Sequence, residues 1–225
     1  GEFRAPSRAS NAPSAYEDGQ TVPDAICDCV NKKFAYGPVK LDEVPKNAKF
    51  SGIMTRAKPN GSVRIILNLS SPAGRAVNEG IDPHDFPATM SSTNKWLLAL
   101  NKAGHNCLIC KCDWSDAYKH VHIRQADLHL QWFTWLQKGF CELCLIFGSK
   151  SSVGIYDRLA KLVLHIVCCR SGMPPSMVCQ HLDDCAGAAP AGSGLLEAFD
   201  RTFFTVAEEL GIALAPRDDP TKSSR

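Results

Sequence analysis

The sequence has no run of about 18 apolar residues, so nothing in it reads as a membrane span. It has no apolar core near its N-terminus, which argues against a secretory leader. It lacks an excess of either charge: 25 Lys and Arg stand against 23 Asp and Glu, a formal net charge of +2. Bulk basicity therefore announces no nucleic-acid partner, and any polyanion would have to be held by a local patch. Internal repeats and coiled-coil heptads are also missing.

What is present is a chain of 225 residues, 44% of them hydrophobic, which fits one large globular domain or two small ones. Its 11 cysteines, about 5% of the chain, fall below the density of a disulfide scaffold. Several lie inside apolar runs, as buried free thiols of an intracellular, reducing compartment would. The alternative pairs Cys107-x-x-Cys110 with Cys141-x-x-Cys144 as a zinc site, but both pairs lie in strand-like segments where residues three apart face opposite sides.

Residues 1–24 are rich in Ala, Pro and Ser and read as a flexible leader. Residues 25–48 suggest a short helix and a polar loop. Phe50–Arg56 and Ser62–Leu69 then read as a β-hairpin around Lys58-Pro59-Asn60-Gly61. Thr89–Lys102 is helical and stops at Gly104. Asn106–Cys112 is an apolar run ending in Asp113. Leu128–Leu136 and Phe140–Phe147 read as strands joined at Lys138-Gly139. Ser151–Arg170 carries helical apolar spacing, and Leu195–Leu210 is a final amphipathic helix. Between those helices, Ser176–Leu182 and Cys185–Ala189 are short strands with Asp183-Asp184 at their junction. The order is that of an α+β fold with helices packed on an antiparallel sheet.

Asp113, Asp183 and Asp184 stand out by context. An Asp in a turn has a plain explanation, since its side chain bonds nearby backbone N–H groups. Here, however, two adjacent acids are flanked by apolar strands, and a third acid ends another strand. Carboxylates crowded at strand ends need a cation, and Mg²⁺ prefers such oxygen ligands. Paired ions of this kind serve in-line phosphoryl transfer.

At this point the sequence resembles a known family. Asp113-Trp-Ser-Asp-Ala-Tyr118 resembles motif A of reverse transcriptases, Phe147-Gly148 with the helix after it resembles motif B, and Leu182-Asp183-Asp184 resembles the x-Asp-Asp box of motif C. Lys58-Pro-Asn-Gly-Ser-Val-Arg64 resembles the fingers hairpin. The four occur in the family's order over about residues 50–215. The segments 67–72, 74–81 and 210–216 resemble the DIRS group of tyrosine-recombinase retroelements.

The resemblance implies a right-hand polymerase palm with a fingers subdomain and no thumb, with fingers over 25–104 and palm over 105–225. It implies RNA-directed DNA polymerase activity: nucleotidyl transfer from a dNTP to a primer 3′-hydroxyl on an RNA or DNA template. Asp113 and Asp183 would hold two Mg²⁺ (or Mn²⁺) ions, supported by Asp184. Lys58 and Arg64 would grip the triphosphate, Tyr118 would be the gate against a ribose 2′-hydroxyl, Phe147 would pack beside the nucleotide, and Gly148 would let the backbone approach it. Lys222 falls where motif D has its Lys. Asp116, His120 and His122 read as solvated or structural. The sequence departs from the family at His181, where Tyr or Phe is usual, at Asn68, where many relatives have an acid, and at Ile146, where Pro is common. With thumb and RNase H segments expected elsewhere in a larger polyprotein, the alternative is a catalytically degenerate, nucleic-acid-binding remnant.

Overall fold

A computed structural model describes residues 9–17, 21–58 and 61–216 of the chain. They divide into two compact units, and the division is discontinuous: residues up to Phe86 join Tyr118–Ser152, while Pro87–Ala117 joins the residues from Val153 onward. The sequence had suggested two regions end to end, meeting at 104/105. Strand pairing between distant segments produces the interleaving.

In the first unit, β1 (Ala35–Val39), β5 (Trp132–Trp135) and β6 (Lys138–Glu142) form an antiparallel sheet in the order β1-β6-β5. The hairpin of β2 (Gly52–Ala57) and β3 (Val63–Asn68) has the unbroken register Gly52↔Asn68 to Ala57↔Val63. Alternation sends Ile53, Val63 and Leu67 into a core with Phe133, Phe140 and Ile146, while Arg56 and Arg64 stand opposite each other in the open. Two stretches of the expected leader, residues 13–17 and 21–24, are helical. There, α1 (Pro13–Glu17) and the start of α2 (Thr21–Asn31) are ordered, because Ala15 and Val22 fill the same core. Asn11 helps to hold this segment, its amide accepting from Ile53 N–H at 3.0 Å and donating to the Thr134 carbonyl at 3.1 Å.

The β5–β6 turn is not at Lys138-Gly139. It falls on Leu136 and Gln137, both at positive φ, with Trp135 paired to Lys138. Gly139 lies within β6, where a Cβ would come within 2.8 Å of the Val44 side chain, so this glycine serves close packing. The strands are also shorter than the apolar runs: residues 125–130 form a 3₁₀ turn, and β6 ends at Glu142.

In the second unit, β4 (Leu108–Asp113), β7 (Val178–His181) and β8 (Asp184–Ala189) form an antiparallel sheet in the order β4-β8-β7. The helices are α3 (Thr93–Ala103), α4 (Ser152–Ser171) and α5 (Leu195–Glu209); α3 and α5 pack on the sheet, and Cys168 of α4 lies near enough to Cys185 of β8 to act on its thiol. Ser92 caps α3 by accepting from Lys95 N–H at 3.3 Å, and Gly104 ends it at φ 83°. The sequence had placed α3 with the fingers. It belongs to this unit, tied by paired bonds between Ser91 and Gln180 on β7: Ser91 N–H donates to the Gln180 carbonyl and Gln180 N–H to Ser91 Oγ.

The β4–β8 sheet has two unlike faces. Cys110, Cys112, Cys185 and Gly187 share one, and the Phe199 ring of α5 lies 3.4 Å from where a Gly187 Cβ would stand. Ile109, Lys111, Asp113, Asp184 and Ala186 share the other, on which Ile109 remains exposed.

Candidate active site

The acids belong to the second unit. β4 is apolar but for Lys111 until it reaches Asp113, which is buried, and the register sets Asp113 directly opposite Asp184 on one face. Directly opposed like charges destabilise a strand pair unless a cation intervenes. Lys111, two residues before Asp113, places its Nζ 2.8 Å from Asp184 Oδ1. His181 and Asp184 close a two-residue turn of Leu182 and Asp183, with Leu182 at φ 54°. The Asp183 carbonyl accepts the Trp114 N–H at 3.4 Å, and Gln180 Nε2 donates to the Leu182 carbonyl at 3.2 Å. Gln180 was not singled out in the sequence, where it carried no signal beyond lying three residues before the acids. Asp113's own carbonyl accepts from Ala215 N–H at 2.9 Å.

Among the described residues, no three His, Cys, Asp or Glu side chains are grouped to hold a metal on their own. That leaves the zinc reading without support. Burial pushes the Cys141 thiol up to about 12 and Cys144 and Cys168 up to about 11, so these cysteines stay protonated as small apolar residues. The acids would suit a different ion. Mg²⁺ is commonly held by one or two carboxylates, its remaining positions filled by water and substrate phosphate. Asp113 and Asp184 stand in cross-strand register with Asp183 in the adjoining turn, but the three are not grouped to hold an ion by themselves, so an ion there would rest on one or two of them.

The first unit brings together four residues singled out for nucleotide binding. The Arg64 guanidinium carbon sits 4.6 Å over the Phe147 ring centroid. On Phe147 also packs Tyr118, ring centroids 4.7 Å apart and tilted by 43°. Tyr118 is buried on the 3₁₀ turn Ala117–His120, whereas Phe147 is 41% exposed. Gly148 adopts φ 101°, and a Cβ there would meet the Leu67 carbonyl oxygen at 2.3 Å. The close approach that demands glycine is thus made by β3 itself. Lys58 stands apart at the hairpin tip, its N–H donating to the Ser62 carbonyl at 2.8 Å.

Two further contributors were not singled out in the sequence. Asn78 is buried. Its amide donates to the Gly148 carbonyl at 2.7 Å and to Ser70 Oγ at 2.9 Å, and accepts from Lys150 N–H at 3.0 Å. It pins the Phe147–Lys150 loop, and an isolated Asn in a loop-like stretch gives no hint of that. Arg56 faces Arg64 across the hairpin, which only the register reveals. Lys222 lies outside the described residues.

Tyr118 is followed by a buried ion pair, Lys119 Nζ to Glu142 Oε2 at 2.5 Å. Burial pushes the Glu142 carboxyl above its ordinary range, and the Lys119 charge and hydrogen bond only partly pull it back. A pKa raised on folding gives stability that is fully present below the unfolded value and is lost as pH rises through the folded one. Wild-type stability should therefore fall relative to Glu142→Gln as the pH climbs from about 4 towards neutrality. Urea unfolding at a series of pH values measures this; a constant difference would contradict it.

No protein-family model and no curated protein matches the sequence. Solved structures do. The foamy viral protease-reverse transcriptase in complex with RNA/DNA hybrid matches with a TM-score of 0.68 at 16% identity, over 99% of this chain and 26% of that one. The prototype foamy virus protease-reverse transcriptase CSH mutant matches at 0.67 and 16%, over 94% and 25%. The complex of the dRH form with double-stranded DNA matches at 0.65 and 18%, over 96% and 33%. The chain thus spans a quarter to a third of the solved chains it matches. Identities this low speak for the fold alone. With its antiparallel sheets and packed helices, the chain has a mixed α/β, reverse transcriptase-like fold.

Proposed function

We propose that this chain is the fingers and palm portion of a retroelement reverse transcriptase, adding dNTPs to a primer 3′-hydroxyl on an RNA or DNA template. The observation that carries this reading is the cross-strand placement of Asp113 opposite Asp184 at the end of β4, with Asp183 in the adjoining turn. The fold supports it, as does the grouping of Arg64, Phe147, Tyr118 and Gly148 within one unit. Nucleic-acid partners are in keeping with the double-stranded DNA and RNA/DNA hybrid held by the solved neighbours.

Asp113, Asp183 and Asp184 would hold Mg²⁺ or Mn²⁺, which when bound acidifies the primer hydroxyl and neutralises the leaving pyrophosphate. Arg64 and Lys58 would bind triphosphate oxygens, Arg64 with its planar fork pre-set by the Phe147 ring. Tyr118 would wall off the 2′ position of the sugar. The same residues at 67–72, 74–81 and 210–216 favour a tyrosine-recombinase retroelement as the source. All eleven cysteines are free, in keeping with an intracellular setting. No helix among the described residues is long and apolar enough to cross a membrane.

Primer extension with Tyr118→Ala tests this reading. Loss of the ring should shift the dNTP-over-rNTP preference by about tenfold or more. The variant also removes a buried ring, so the preference ratio, not the rate, is the readout. An unchanged ratio would return Tyr118 to a packing role.

A further inference from the structure

Lys111 has no part in the motifs above, yet its ammonium lies against one of the proposed metal-binding acids. It precedes Asp113 by two residues on β4 and so shares the face of Asp113 and Asp184. Its Nζ is 2.8 Å from Asp184 Oδ1, with side chains 34% and 49% exposed, so the contact can open without unpacking the core. At Asp184 the cation neutralises charge that a bound divalent ion would neutralise, and so weakens the repulsion Asp184 exerts on Asp113 across the strands. The two cations cannot share one carboxylate oxygen set without repelling each other.

Resting on the proposed polymerase centre, we propose that Lys111 is the resident counter-cation of the Asp113–Asp184 pair, and that a divalent ion loads only by displacing its ammonium from Asp184. Lys111 then sets the ion concentration at which the centre fills. It keeps the two strand ends paired when no ion is bound, and swings towards solvent when one is. It is a positioning residue for the metal centre, with no role in bond making.

The test is Mn²⁺ titration of the full chain, followed by electron paramagnetic resonance at fixed ionic strength, with melting curves on each variant. Lys111→Met should tighten Mn²⁺ binding by about tenfold, an exposed pair being strongly screened. Lys111→Arg should keep the wild-type affinity, because it keeps the ion pair. In an Asp184→Asn background, Lys111→Met should change nothing further. A purely structural Lys111 would lower the melting temperature and leave Mn²⁺ affinity unmoved. If affinity is unmoved while Asp113→Asn weakens it, the counter-cation idea is wrong and the carboxylate centre stands. If no variant binds Mn²⁺ saturably, both ideas fall together.

Discussion

Gly148→Ala should destabilise the chain by about 3–5 kcal/mol, the sum of a non-glycine residue forced to positive φ and an overpacked contact. The backbone there is at φ 101°, and the added methyl would stand 2.3 Å from the Leu67 carbonyl oxygen, which belongs to a paired strand and cannot yield like a side chain. For a chain of this size the melting temperature should drop by about 10 °C. The control is Gly74→Ala, at φ 80° but with nothing within 4 Å, where only the backbone term of about 1 kcal/mol applies. If relief comes by shifting the loop instead, the Asn78 bond to the Gly148 carbonyl and the Arg64–Phe147 contact move with it, and nucleotide affinity falls in step. Equal costs for the two variants would mean that Gly148 is not held against β3.

Asp113→Asn should abolish turnover, by about 10³-fold or more, which is about 4 kcal/mol of lost transition-state stabilisation. Asn keeps the shape of the side chain and removes the charge that would hold the ion. The repulsion between positions 113 and 184 disappears with the charge, so turnover should fall far more than stability. That separation of folding from chemistry distinguishes a metal-binding acid from a structural one. Asp116→Asn, three residues on, should leave turnover within about twofold, since a surface substitution away from such features has small effects. A stable Asp113→Asn variant with wild-type turnover would remove the acids from the chemistry.

The parts of this fold that were legible in the sequence are those written in local pattern. The 50–69 hairpin, the Gly104 helix stop, the strand ending in Asp113 and the two long helices follow from alternation, period and punctuation. What was missed depends on distant partners. β1 carries Gly37-Pro38 and no strong alternation, and it exists because Ala35 and Tyr36 pair with Glu142 and Cys141 on β6. Residues 13–17 look like linker until Ala15 finds its place in the core. Gly139 resembled a turn residue because a glycine needed for packing and one needed for conformation look alike in sequence. At the site, the acids and the aromatic–Arg cluster were visible as residue types at family spacings. Asn78 and Lys111 were not, since each acts on residues remote in sequence: Gly148 and Lys150 for the first, Asp184 for the second.

The central claim is templated DNA synthesis, and it is tested most directly by single-nucleotide extension of a labelled primer on RNA templates that differ only in the next base. Mg²⁺ and each dNTP are supplied one at a time. The added nucleotide should be the complement of the template base, addition should require the divalent ion, and it should cease in Asp113→Asn. Addition that ignores the template base, or the absence of any addition by a folded chain that binds Mn²⁺ and primer–template, would contradict it.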